Sequence, residues 1–241
     1  HLDGPSILPG ARTVVCLARS YQRSAEDEAA DPPIARLVAR YARGSDYHNF
    51  LRKKLRRLAV FLRSLGAAEA PVAARPMVDD APILERAWAA RAGLGFVGKN
   101  GLLIAPGFGS YLLLGEVVTT LALEPGEPMT ERCGACTACL DACPTGAFAA
   151  PWVLDARRCV SYLTIELRGP ILDVYKGALG ERLFGCDDCQ AVCPYNRGRV
   201  ARSSRDEARH APDERWASAD LVALLGLDDE GFRAFTHGSP L

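Results

Sequence analysis

Eight of the nine cysteines in this chain fall between Cys133 and Cys193, at intervals that suit thiolate ligation of a metal centre. Cys133, Cys136, Cys139 and Cys143-Pro144 follow C-x-x-C-x-x-C-x-x-x-C-P, a run whose first three thiolates each hold one corner of a four-iron cluster. A zinc site uses paired C-x-x-C knuckles and has no use for a third cysteine at this spacing, so iron–sulfur chemistry is the expectation. Cys186, Cys189 and Cys193-Pro194 repeat the run without its first cysteine, and Cys159 is the available replacement. The remaining cysteine, Cys16, lies alone in the β-branched run 13–18 and reads as a small buried hydrophobe.

In two-cluster ferredoxins the fourth cysteine of each run ligates the other cluster. That crossing assigns Cys133, Cys136, Cys139 and Cys193 to one centre, and Cys143, Cys159, Cys186 and Cys189 to the second. Centres held this way lie on the order of 10–12 Å apart and pass single electrons at low potential. The ligands span residues 133–193 only, which leaves the first half of the chain to hold an electron acceptor.

That first half reads as alternating strands and helices. Strands are expected at 13–18, 71–78, 102–105 and 111–123, the last two joined by the turn Pro106-Gly107-Phe108-Gly109-Ser110. Helices are expected at 33–42 and 47–65, where Leu51, Leu55, Leu58, Leu62 and Leu65 recur at helical spacing before Gly66, and from Pro82 onward. Asp79 and Asp80 precede Pro82, and one of them is expected to cap that helix. Gly93 to Asn100 nearly matches two nucleotide motifs and satisfies neither, because it follows a helix and has Asn100 where a phosphate loop needs Ser or Thr. The fold class expected is α+β or α/β, with an α/β domain over 1–125, a ferredoxin-like domain over 126–200, and a basic loop and short helix near 219–225 within 201–241.

Lys and Arg number 29 against 29 Asp and Glu, which removes any bulk-charge argument for a polyanion partner. Local basic surfaces remain: Arg52, Lys53, Lys54, Arg56, Arg57 and Arg63 on the second helix, and Arg197, Arg199, Arg202, Arg205 and Arg209 in the polar segment beyond the cysteines. No apolar run approaches the roughly 20 residues that span a bilayer, and the start lacks a secretory leader, so a reducing cytoplasm is expected. The first residue is not Met, which suggests a trimmed or truncated terminus.

Several blocks in order, VDDAPILERA at 78–87, AGLGFVGKN at 92–100, SYLTIE at 161–166 and FGCDDCQ at 184–190, with RGSDYH at 43–48, resemble the epoxyqueuosine reductase family. The resemblance implies an oxidoreductase of queuosine biosynthesis that uses base-off cobalamin, fed by two 4Fe-4S clusters, to reduce epoxyqueuosine in a tRNA anticodon stem-loop. It implies a monomer supplied by an electron donor such as a flavodoxin or ferredoxin. The family's proton donor falls on Asp79, where enclosure between corrin and substrate would disfavour the charged form. Asp80 stands where the family usually has Ser or Thr, and is the expected helix cap. Matching the blocks places Asp79, Lys99, Asn100, Leu103, Ser161, Cys186 and Asp187 near the corrin. His48 is expected to be a pocket residue rather than a cobalt ligand, because Leu51 replaces the Gly of the D-x-H-x-x-G motif. The chain starts and stops short of the family's usual ends, which suggests weakened cobalamin or tRNA binding. Two alternatives fit the same parts: a cobalamin-dependent reductive dehalogenase, and a ferredoxin-type electron carrier without catalysis.

Overall fold

The computed structural model describes residues 4–197 and 209–241. In its first half, α1 (Gly4–Ile7), β1 (Thr13–Ser20), α2 (Ala25–Ala29), α3 (Tyr47–Ser64), β2 (Ala74–Met77), α4 (Glu85–Arg91), β3 (Phe96–Val97), β4 (Leu103–Ile104) and β5 (Leu112–Thr119) follow in order. The main sheet has the order β1-β5-β2 with both pairings antiparallel. The mixed α/β character is as expected, and the antiparallel sheet makes α+β the better of the two descriptions.

The central strand β5 is buried on both faces. Leu113 and Val117 face α3, where Leu51, Leu55 and Leu62 supply the apolar stripe, and Val118 faces Met77, Ile83 and Trp88 on the α4 side. Side chains of a strand alternate between faces, so Glu116 projects toward α4 with Val118. Its register partners are Cys16 on β1 and Met77 on β2. Helix α3 starts where Asp46 accepts the His48 N–H at 2.9 Å, satisfying one free amide of the first turn.

Four local expectations are corrected. Residues 33–42 form two short 3₁₀ turns, Pro33–Leu37 and Arg40–Ala42, rather than one helix. The strand expected over 71–78 contracts to Ala74–Met77, an edge position that tolerates Pro76 because no ladder N–H is required on its open side. The strands expected at 102–105 and 111–123 do not form a hairpin, since β4 pairs with β3 and β5 pairs with β1 and β2. The helix expected from Pro82 begins at Glu85 without a side-chain cap, and Asp80 instead accepts the Val78 N–H at 3.0 Å.

The second half contains α5 (Ala138–Asp141), the hairpin of β6 (Phe148–Ala150) and β7 (Val153–Leu154), α6 (Val160–Ile165), α7 (Asp173–Leu179) and α8 (Asp188–Ala191). Asn196 ties the halves together: its Oδ1 accepts the Ser110 N–H at 2.7 Å and its Nδ2 donates to Ser110 Oγ at 3.0 Å and to the Gln190 carbonyl at 2.7 Å. Gly109 is required beside it, because a Cβ there would lie 2.0 Å from Asn196 Oδ1. The last two helices, α9 (Leu221–Leu225) and α10 (Asp229–Thr236), return to the first half, where Trp216, Leu224 and Phe235 pack on Ile34 and Val38. Arg199, Arg202 and Arg205 lie outside the described residues. Among the described residues no helix is long and apolar enough to cross a membrane.

Candidate active site

The ends of both cysteine runs converge because α5 packs against α8. Cys133, Cys136, Cys139 and Cys193 border one cavity of about 270 Å³, with Ile104, Ala138, Pro194 and Tyr195 among the other residues of its wall. Three of these cysteines come from the first run and the fourth from the second, the set expected for one crossed centre. Burial pushes the Cys133, Cys139 and Cys193 thiols up, so thiolate ligation of a metal there would release protons.

The other four cysteines come from three separate stretches of the chain. The β6–β7 hairpin folds the chain back so that Ala147 accepts the Asp155 N–H at 2.8 Å and Thr145 accepts from Arg158 at 2.9 Å, which sets the segments of Cys143 and Cys159 side by side. The half-buried Cys189 thiol is raised by desolvation and then by its neighbours Cys186 and Cys159. Burial likewise raises Cys186 to about 11. The Ala147 N–H donates to Cys143 Sγ at 3.2 Å.

Lys99 is 8% exposed and spends its charge on the first cysteine loop, donating from Nζ to the carbonyls of Gly134 at 2.5 Å and Cys136 at 3.0 Å. It therefore props the Cys133–Cys136 turn instead of bordering the larger cavity described next. Lys99→Ala removes both donors and is expected to weaken iron retention about 10- to 100-fold, as loss of an outer-shell partner does. Chelator-challenged bleaching of the visible iron–sulfur band measures this, and an unchanged bleaching rate would remove Lys99 from that role.

The larger cavity measures about 900 Å³ and opens between the two halves. Ile83, Leu84, Val97, Leu102, Leu103, Leu112 and Leu114 give it broad apolar walls, with Trp152, Leu154 and Ala156 contributed by the cysteine-bearing half. Trp152 is held there by N–H bonds from its backbone to the Lys99 carbonyl, 2.9 Å, and from Nε1 to the Val97 carbonyl, 3.2 Å. Tyr47, Asp79, Glu85, Arg86, Asn100 and Ser110 are its polar elements. Asn100 borders this cavity and the four-cysteine cavity alike.

Asp79 has φ of +52°, a left-handed conformation that few non-glycine residues adopt. Three contacts hold it there. Tyr47 Oη donates to Oδ2 at 2.6 Å, His48 Nε2 lies 3.4 Å from the same oxygen, and the Asp79 N–H donates to Glu85 Oε1 at 3.1 Å. The other ring nitrogen of His48 is 2.7 Å from Asp46 Oδ1, so its imidazole bridges two carboxylates.

Of the residues expected near a corrin, the fold gathers Asp79, Asn100 and Leu103 around the large cavity. Ser161 sits instead against Gly185, and Cys186 and Asp187 border a separate cavity of about 280 Å³ with Arg40 and Arg43. The Asp187 carboxyl accepts the Arg40 N–H at 2.7 Å and lies 3.4 Å from its guanidinium. Tyr47, Glu85 and Glu116 were not expected at the site. The available signal for Glu116 was a lone acid inside the apolar run 111–123.

An α+β domain joined to a two-centre cysteine domain, with a large cavity reaching both, defines a redox protein. Residues 132–196 match the family model described as a 4Fe-4S double cluster binding domain, and residues 2–80 match the one described as Epoxyqueuosine reductase QueG, DUF1730. The chain is 43% identical over 245 residues to an epoxyqueuosine reductase of Gloeobacter violaceus, covering 99% of this chain and 74% of that one. An epoxyqueuosine reductase of Pseudomonas aeruginosa is 44% identical over 241 residues, covering 98% of this chain and 64% of the relative. A crystal structure of epoxyqueuosine reductase with an epoxyqueuosine-modified tRNA stem loop superposes with a TM-score of 0.85 at 36% identity, covering 98% of this chain and 61% of that one. The chain belongs to the epoxyqueuosine reductase family, and it spans less than two thirds of the length of the latter two proteins.

Proposed function

We propose that this chain reduces the epoxide of epoxyqueuosine in a tRNA anticodon stem-loop to the cyclopentene. Both C–O bonds of the oxirane break, a C=C bond forms and the oxygen leaves as water, consuming two electrons and two protons. The electrons come from a low-potential donor of the flavodoxin or ferredoxin kind. Two 4Fe-4S clusters would carry them, one on Cys133, Cys136, Cys139 and Cys193 and the other on Cys143, Cys159, Cys186 and Cys189. The observation that carries this reading is that one residue, Asn100, borders both the four-cysteine cavity and the cavity containing Asp79.

Base-off cobalamin fits the larger cavity. Its volume of about 900 Å³ lies at the upper end for small-molecule sites, its walls are broad and apolar, and Tyr47 and Glu85 in its lining contact Asp79. No histidine is among the residues bordering it, as suits a cofactor that takes no imidazole ligand from the protein. Asp79, Asn100 and Leu103 would hold it, and when bound it supplies a strong nucleophile for epoxide opening.

The protein's own part is proton delivery and positioning. With Tyr47 donating to Oδ2, the Asp79 carboxyl borders the cavity and would carry a proton to the opened epoxide oxygen. The exposed residues Lys53, Lys54, Arg56 and Arg57 lie on α3, whose first residue is Tyr47. Lys54 is seven residues along that helix, a rise of about 10 Å. They suit phosphate contacts that position tRNA without reading its sequence. We place the protein in the cytoplasm as a monomer.

Anaerobic reconstitution with iron, sulfide and cobalamin tests the cofactor set. About eight irons and one base-off cobalamin per chain are expected. Eight irons with no cobalamin retained would favour a simple electron carrier.

A further inference from the structure

The overall reaction takes up two protons, and Asp79 carries one. Glu116 lies at the middle of β5 with 0% exposure, and among the described residues no amide, hydroxyl or cation donates to either of its carboxyl oxygens; the polar group it meets is the Glu85 carboxyl. Two carboxylates facing each other in a buried position would be severely penalised, so the stable form of this side chain is the neutral acid.

The groups around it form a line to the cavity. Glu85 on α4 is its acidic neighbour, and Glu85 Oε1 accepts the Asp79 N–H at 3.1 Å while its side chain borders the large cavity. From β1 the facing residue is Cys16, and from β2 it is Met77. Helix α3 packs on the opposite face of the sheet, and its Tyr47 and neighbouring His48 address Asp79 rather than Glu116. No basic group is among the charges that act on Glu116, and Arg86, next to Glu85 on α4, donates to the Gly101 carbonyl.

We propose that Glu116 and Glu85 share a reserve proton behind Asp79, which Glu85 passes to the cavity as the second proton of each reduction. This rests on the epoxide-reductase reading. In the transfer the Glu116 O–H bond breaks, an O–H forms on Glu85, and Glu85 then protonates the Asp79 carboxylate left by the first proton. Solvent restores the pair between turnovers. Burial, followed by the charge of Glu85, pushes Glu116 up to about 9, and burial raises Glu85 as well. Cys16, raised to about 12 mainly by burial, stays a neutral thiol and adds no competing charge.

Glu116→Gln tests the proposal because Gln keeps the shape and can still donate a hydrogen bond to Glu85, yet has no proton to give. In infrared spectra of the substrate-free Asp79→Asn protein at pH 7, which lacks the donor's own carboxyl, a protonated-carboxyl band is expected, and it is absent when Glu116→Gln is added. The band should disappear as the pH is raised through about 9. Epoxyqueuosine-tRNA turnover is expected to fall at least about tenfold in Glu116→Gln and in Glu85→Gln, with the alkaline limb of the wild-type pH profile lost. Stability should follow the same proton. Between the ordinary carboxyl range and about 9 the folded chain holds a proton that the unfolded chain has lost, so wild-type stability falls as pH rises through that window. The melting temperature of Glu116→Gln should fall less.

A band that survives when Glu116→Gln is added to Asp79→Asn overturns the proposal whatever the activity, and so does an active wild type whose turnover and pH profile Glu116→Gln and Glu85→Gln both leave unchanged. If Glu116→Gln fails to retain iron, Glu85→Gln carries the kinetic arm alone. An inactive wild type would instead overturn the functional reading, while the infrared band still decides whether the pair holds a proton.

Discussion

Asp79→Asn is expected to keep the fold and the iron content while lowering turnover of epoxyqueuosine-tRNA by about 10²- to 10⁴-fold, the range for loss of a positioned acid. The substitution is suited to the site for a structural reason. Asn is, with Asp, among the non-glycine residues that tolerate the left-handed φ of +52°, and its amide oxygen can still accept from Tyr47 Oη. The backbone N–H that meets Glu85 is untouched. Loss of rate can then be assigned to the missing proton and not to a displaced loop, provided cobalamin content and melting temperature match the wild type. Turnover within about threefold of wild type would remove Asp79 from the proton-donor role.

Cys193→Ser is expected to lose about half of the iron and all turnover. The reason lies in the crossing: Cys193 belongs to the second run in sequence, but its side chain borders the cavity of Cys133, Cys136 and Cys139. Replacing it should therefore empty the centre built by the first run and leave the second intact. Cys143→Ser should do the reverse. Iron analysis with electron paramagnetic resonance of the two reduced variants separates these outcomes, because each retains a different cluster. If both variants lose the same cluster, the crossed assignment is wrong.

The cysteine module was legible because its information is local. Ligands three and four residues apart reveal themselves in the sequence, and a Pro after the fourth marks the end of each run. The long helix was legible for a similar reason, since five leucines on one stripe need no knowledge of their partner; four of them are covered, and only Leu65 is exposed at 52%. The walls of the large cavity were not legible. Strands β3 and β4 are two residues each, too short to show a period, and their pairing removes β4 from the hairpin that the turn at 106–110 suggested. Likewise Tyr47, Asp79, Glu85 and Glu116 stand on four different segments, and only the placement of β5 between β1 and β2 brings them together. Asp79 was found through family resemblance, whereas Glu116 needed the sheet register. Lys99 illustrates a further limit: the block containing it was recognised, but which of two adjacent cavities its side chain serves depends on the turn at 98–101.

The most direct measurement is nucleoside mass spectrometry of epoxyqueuosine-containing tRNA after incubation with the reconstituted chain and a low-potential reductant under anaerobic conditions. Conversion to queuosine is expected, with loss of one oxygen, and it should require both iron and cobalamin. Unchanged epoxyqueuosine from a protein that carries both clusters and cobalamin would contradict the proposed reaction.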